Sequence, residues 1–285
     1  MTYLWIDTFG TLQLRSQQAT VSHFPTQHVK ELLVFLLLNP NLKHTRLKII
    51  SLLWPDVSES TGRGRLNTEL WRLRTLFRQA GMPPEEILQT NREFISFLPD
   101  TSVLIDFSHF RMLANHNPVG ADYETERGIL SKAAELYKGD FCEDIFLDWC
   151  VIERERLSRL YLTVLGRLMH GAVGQGAYED AIRYGQTILK ADPLREEVYR
   201  ALMVCYVNLG LYSDATRQYH LCAKILWDEL RILPLPETIS LFDSVLVERY
   251  QMQAKWQTHP QKQEALRQTY LQYQEASARL SQLFE

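Results

Sequence analysis

The chain has 285 residues, 46% hydrophobic and 23% charged, with a net charge of −3. That balance excludes an intrinsically disordered chain and leaves room for two hydrophobic cores. Charge is unevenly spread: residues 1–105 hold 11 Lys and Arg against 9 Asp and Glu, and residues 106–285 hold 20 against 25, so any grip on nucleic acid must come from a local patch.

In chain order, Tyr3–Ile6, Thr11–Arg15 and Ala19–Ser22 alternate as short strands around Phe9-Gly10. Thr26 caps a helix over Gln27–Leu38, with Val29, Leu32, Leu33, Leu36 and Leu37 inward, and Asn39-Pro40-Asn41 breaks it. A second helix is expected over His44–Leu53, burying Leu47, Ile50 and Leu53. Ser58–Thr61 reads as a polar loop. A third helix, from about Gly62 to Ala80, buries Leu66, Leu70, Leu73 and Phe77. Glu86–Thr90 and Phe94–Leu98 then alternate as a hairpin around Asn91-Arg92. Strands, three helices and a hairpin within about one hundred residues fit a winged helix-turn-helix, with the third helix as recognition helix and the hairpin as wing.

From Val103 onward the pattern reads as wholly helical: Asp106–His116, a loop at Asn117–Gly120, Tyr123–Tyr137, then Leu147 to about Val173. Two phrases follow at an offset of 34 residues, Gly176-Ala177-Tyr178-Glu179-Asp180-Ala181 and Gly210-Leu211-Tyr212-Ser213-Asp214-Ala215. That is the period of the tetratricopeptide repeat, a pair of antiparallel helices that stack to present a binding surface. Beyond Gln261 a tail places Leu266, Tyr270, Tyr273, Leu280 and Phe284 on one stripe, to be buried on the repeats, on a second copy or on a partner. The domains expected are 1–104, a winged helix-turn-helix; 105–250, a helical repeat domain; and 251–285, a helical tail. The fold class is mostly α with a small β component.

Several functions are set aside. The longest apolar run, Leu32–Leu38, is far short of the roughly 20 residues that span a bilayer. The first residues lack a signal-peptide layout, so a cytoplasmic location with no membrane partner is expected. Cys142, Cys150, Cys205 and Cys222 are scattered and read as reduced core thiols. There is no P-loop, no GxSxG elbow and no HExxH helix, so no catalytic residue, metal site or required cofactor is assigned. His23 and His28 read as surface residues, and Glu153-Arg154-Glu155-Arg156 as an ion-paired helix face.

The third helix is the most charged face, with Arg63, Arg65, Arg72, Arg74 and Arg78 against Glu69. With its leucines inward, Arg63, Asn67 and Arg72 are expected toward solvent. Arginine pairs with guanine or phosphate, and asparagine can read adenine. Arg63, Arg65, Asn67, Thr68 and Arg72, with Arg92 on the hairpin, are the candidate DNA contacts. The same arginines suggest a second site, because paired guanidinium groups stack on guanine and grip phosphate. Arg63, Arg65, Arg74 and Arg78 would then hold a nucleotide effector such as the cyclic dinucleotide cyclic di-GMP.

Dispersed pieces carry a family resemblance. Phe9-Gly10-Thr11-Leu12, Leu53-Trp54-Pro55-Asp56, Arg65-Leu66-Asn67 and Leu73-Arg74 fall as in the OmpR-type winged helix. Ile105-Asp106-Phe107-Ser108-His109-Phe110, Leu136-Tyr137-Lys138-Gly139-Asp140, Asp192-Pro193-Leu194-Arg195-Glu196 and Leu233-Pro234-Leu235-Pro236-Glu237-Thr238 fall as in the bacterial transcriptional activation domain that follows it in SARP-type regulators. The hairpin departs from the family, with Glu93-Phe94 where a Gly-Tyr pair is usual. The resemblance implies a transcription regulator that binds double-stranded DNA and works with RNA polymerase or another regulator, and two half-sites on the DNA would suit a homodimer. The alternative is a signalling adaptor that senses a ligand such as cyclic di-GMP and acts by binding another regulator.

Overall fold

A computed structural model describes residues 3–116 and 122–257. The loop expected at Asn117–Gly120 and the apolar stripe of the tail lie outside the described residues. Two compact units are present, Met1–Leu168 and Met169–Glu285.

In the first unit the elements run β1 (Leu4–Asp7), β2 (Gln13–Arg15), β3 (Thr20–Val21), α1 (Gln27–Leu38), β4 (His44–Thr45), α2 (Arg46–Leu53), α3 (Glu59–Gln79), α4 (Pro84–Ile87), β5 (Leu88–Thr90), β6 (Phe94–Phe97) and β7 (Val103–Ile105). Then come α5 (Asp106–Ala114), α6 (Tyr123–Leu136) and α7 (Asp148–Gly174), the last of which runs on past Leu168 into the second unit. One sheet has the order β3-β2-β1-β7 and a second the order β4-β6-β5. The expected Thr26 cap is present, its hydroxyl accepting from the Val29 amide at 3.2 Å. Leu66, Leu70, Leu73 and Phe77 are all buried on α3.

Four local expectations change. Val103–Ile105 is a strand, paired parallel with β1 through Leu4↔Val103 and Ile6↔Ile105. Three residues are too few to show alternation, so only the partner strand reveals them. His44 and Thr45 pair with Ile95 and Phe94, so α2 starts at Arg46. It packs on both α1 and α3, burying Ile49, Ile50 and Leu53 and leaving Leu47 50% exposed. Ser58 is not in a loop but caps α3, which therefore begins at Glu59. Glu86 and Ile87 belong to a helical turn, not to the first hairpin strand.

The winged helix is knitted to the helices after it by the Asp106 carboxylate. It accepts hydrogen bonds from the Thr8 amide at 2.7 Å, the Phe9 amide at 2.9 Å, the Thr8 hydroxyl, and its neighbour Phe107 at 2.7 Å. Burial pushes its pKa above the ordinary carboxylate value, against the pull of those bonds. Alongside, the Gly10 amide donates to Asp140 O at 2.9 Å and the Cys142 amide to Thr8 O at 2.8 Å. A Cβ on Gly139 would lie 3.3 Å from the Gly10 Cα, so this approach of two backbones calls for glycine. Arg154 is not on an ion-paired surface. Its guanidinium donates to the carbonyls of Phe141, Cys142 and Ile145, bracing the turn that meets Thr8. His28 is likewise half-buried, bonded to Glu31 at 2.8 Å and edge-on to Trp54.

The second unit contains α8 (Tyr178–Ala191), α9 (Glu196–Asn208), α10 (Tyr212–Leu230) and α11 (Pro236–Gln257). The offset of 34 recurs in its geometry. Gly176 and Gly210 both have φ +73, the left-handed helix terminus that favours glycine. Ala177 N bonds Ala172 O at 2.9 Å, and Leu211 N bonds Tyr206 O at 2.8 Å. Ala181 and Ala215 are both fully buried. Ala181→Leu is expected to overpack this contact and destabilise the protein by about 1–3 kcal/mol. An unchanged midpoint in urea would show that the repeat is not tightly packed there. Glu196, nearly buried, accepts from the Leu235 amide at 2.6 Å, and Arg200 donates to Thr238 Oγ1 at 2.9 Å, so α9 holds the start of α11.

Candidate nucleic-acid interface

The site is built from α3, the start of α2 and the β5–β6 hairpin. Because β4 pairs with β6, Arg46 follows directly beside the hairpin: its amide donates to Glu93 O at 2.9 Å and its Nε to Asn91 O at 2.8 Å. Its Nη1 donates to Asn67 Oδ1 on α3 at 2.8 Å. Arg46, Arg63, Asn67, Thr90, Asn91 and Arg92 line an open notch of about 470 Å³ with no carboxylate in its wall. Burial first, and then the charges of Arg63 and Arg74, hold the Arg46 guanidinium below its ordinary pKa. Since arginine stays charged at any physiological pH, the notch is a standing positive field suited to an anion.

The expected contact residues do not all share one setting. Arg63 is exposed at the notch and pairs with Glu59 at 2.7 Å. Asn67 is exposed, with its oxygen held by Arg46. Arg65 and Arg92 are exposed, with no hydrogen bond or ion pair among the described residues. Thr68 is exposed, its hydroxyl donating to Gly64 O at 3.2 Å. Arg72 departs from expectation. It is half-buried and bonds the buried Glu69 at 2.6 Å, and Glu69 also accepts from Thr26 Oγ1 at 2.7 Å. The N-terminus of α1 covers that side of α3, so Arg72 works inside the fold. The four arginines suggested for an effector do not converge. Arg74 turns to Thr90 Oγ1, Arg78 pairs with Glu85 at 2.8 Å, and Arg63 and Arg65 lie further up the helix. Arg46 escaped the sequence reading because its role depends on a two-residue strand. In the sequence it is one of three cations, with Lys43 and Lys48, around the start of a short helix, and nothing local singles it out.

Residues 105–246, about half of the chain, match the bacterial transcriptional activator domain family. Ahead of them stands the winged helix just described. The chain belongs to the SARP-type family. Its curated relatives include the regulatory protein AfsR of Streptomyces coelicolor, 24% identical over 217 residues, and AfsR of Streptomyces griseus, 22% identical over 235 residues. These alignments cover 76% and 81% of this chain but 22% and 23% of the relatives, so the SARP-type chain spans less than a quarter of their length. Its fold is shared with EmbR of Mycobacterium tuberculosis, solved in complex with a low-affinity phosphopeptide. The TM-score is 0.72 at 21% identity, covering 87% of this chain and 66% of that one. In this SARP-type chain the residues that carry the resemblance bond one another: Asp106 holds Phe9, Gly10 meets Asp140, and Glu196 holds Leu235.

No helix among the described residues is long and apolar enough to cross a membrane, and no cluster of His, Cys, Asp or Glu among them could hold a metal ion. Cys142, Cys150, Cys205 and Cys222 are all buried and form no disulfide.

Proposed function

We propose that this chain regulates transcription by binding double-stranded DNA through α3 and the β5–β6 hairpin, while its helical repeats engage a protein partner such as RNA polymerase or another regulator. The observation that supports this most is the notch where Arg46, Arg63 and Arg92 meet beside Asn67, without a carboxylate in its wall. Arg46, Arg63, Arg65 and Arg92 suit phosphates, and Asn67 suits a base edge.

The test is fluorescence anisotropy against a labelled duplex library over a salt series. Log affinity should fall linearly with log salt, with a slope of about −0.9 per phosphate neutralised. Asn67→Ala should weaken specific binding by about 1–3 kcal/mol, and Arg63→Ala should weaken binding to all duplexes alike and reduce the salt slope by about 1, both with the melting temperature kept. Arg72→Ala should instead lower stability. A folded wild-type protein with no salt-dependent binding to any duplex would remove this function and leave the ligand-sensing adaptor.

A further inference from the structure

Helix α3 has two glycines, and only one is explained by the fold. A Cβ on Gly62 would lie 2.3 Å from Ile50 Cγ2, so the crossing of α2 and α3 leaves no room for a side chain. A Cβ on Gly64 would meet nothing within 4 Å, and the residue is exposed. A helix-interior glycine is destabilising relative to alanine, so the folded chain alone gives no reason for Gly64. The missing side chain makes sense if another molecule comes close to the helix there.

The same face continues with Thr68 and Trp71, four and seven residues on. Trp71 is 63% exposed on a helix that otherwise buries its large apolar groups. Thr68 turns its hydroxyl to Gly64 O, and Thr75 turns its own to Trp71 O at 3.0 Å. The ridge is therefore uncharged and largely apolar, with an indole as its most prominent group. Arg63 and Arg65 stand about 100° to either side of Gly64, and the notch with Arg46 and Arg92 lies on the Arg63 side. An apolar spine with cations on both flanks matches the major groove, where phosphates border the walls and the apolar group on the floor is the thymine methyl. A protein surface complementary to this ridge would need acids on both sides of an apolar strip, whereas duplex DNA supplies the flanking phosphates everywhere and the apolar group wherever a thymine stands.

Resting on the DNA-binding reading, we propose that Trp71, aided by Thr68, reads thymine C5-methyl groups in the major groove. Gly64 lets the first half of α3 seat against the base edges. From Gly64 to Trp71 the ridge rises about 10 Å, the length of about three base pairs at 3.4 Å each.

The experiment takes the duplex that wild-type protein selects from a random library and replaces each thymine in turn by uracil, which removes only the methyl. At one or two positions wild type should bind about fourfold more weakly, the effect of one buried methyl. Trp71→Ala should bind the thymine and uracil duplexes alike, and Trp71→Phe should keep part of the difference. Gly64→Ala should raise the melting temperature by about 2 °C yet bind the selected duplex about tenfold more weakly. The proposal is overturned if no thymine position responds in wild type, if Trp71→Ala keeps the full response, or if Gly64→Ala binds as wild type does. Folded wild-type protein that binds no duplex fails at an earlier step, and the DNA-binding reading falls with it.

Discussion

Asp106→Ala should cost about 3–5 kcal/mol of folding stability, more than overpacking the repeats with Ala181→Leu. The side chain accepts four hydrogen bonds, two of them from the backbone amides of Thr8 and Phe9. Thr8 is fully buried and Phe9 is 4% exposed, so neither amide can turn to water when the carboxylate is removed. An orphaned buried donor costs its full desolvation, about 1–3 kcal/mol each. Asp106→Asn should fall between, because one oxygen becomes an amide group that donates toward other donors. Thr8→Ala should cost about 1 kcal/mol, since it removes one hydroxyl and leaves both amides satisfied. Urea unfolding of the three variants checks the order. An Asp106→Ala midpoint equal to that of Thr8→Ala would show that the amides find other partners. Because the bonds join the end of β1 to the start of α5, the loss should appear as loosened attachment of the winged helix, with faster amide exchange at Thr8 and Phe9.

Arg46→Ala should have the largest effect on DNA affinity among the cations. It removes one phosphate-binding charge, which should reduce the salt slope by about 1. It also releases Asn67 and the hairpin residue Asn91. A freed Asn67 amide must be ordered again on binding, so affinity should drop by more than one charge accounts for, on the order of 100-fold at moderate salt. Arg92→Ala is the control. It removes an equal charge but no protein bond, and should change the slope equally with a loss of about tenfold. Equal losses for the two variants would show that Arg46 contributes charge alone. An unchanged slope for both would place the phosphate contacts elsewhere.

Much of the architecture was readable because it rests on local, periodic signals. The buried stripe of α3 follows from apolar residues at helical spacing, and Leu66, Leu70, Leu73 and Phe77 are all buried. Repetition at an offset of 34 marked Gly176 with Gly210 and Ala181 with Ala215. Each pair shares one physical constraint, a left-handed turn for the glycines and a closed helix contact for the alanines. Less was legible where a side chain's surroundings depend on a distant segment. A helical wheel shows that Glu69 and Arg72 lie one turn apart on α3, but not that Thr26, at the start of α1, bonds Glu69 and helps bury that side. The paired arginines at Arg74 and Arg78 share a helix face by spacing, and the hairpin and Glu85 draw them to different partners.

By itself the sequence determined the winged-helix order, the cationic third helix, the repeat period and the family, since these are written in spacing, composition and short phrases. The tertiary structure decided which of those groups are available. Strand β4 is only two residues long, yet its pairing with β6 sets Arg46 beside Asn67 and completes the notch. Asp106 and Arg154 looked like a helix start and a surface charge, and became the bonds that hold the first unit together. Gly62 and Gly64 are identical in sequence, and only the nearness of Ile50 separates them. Hydrogen bonds and close contacts between residues far apart in the chain leave no periodic trace, so they exist as information only once the chain is folded.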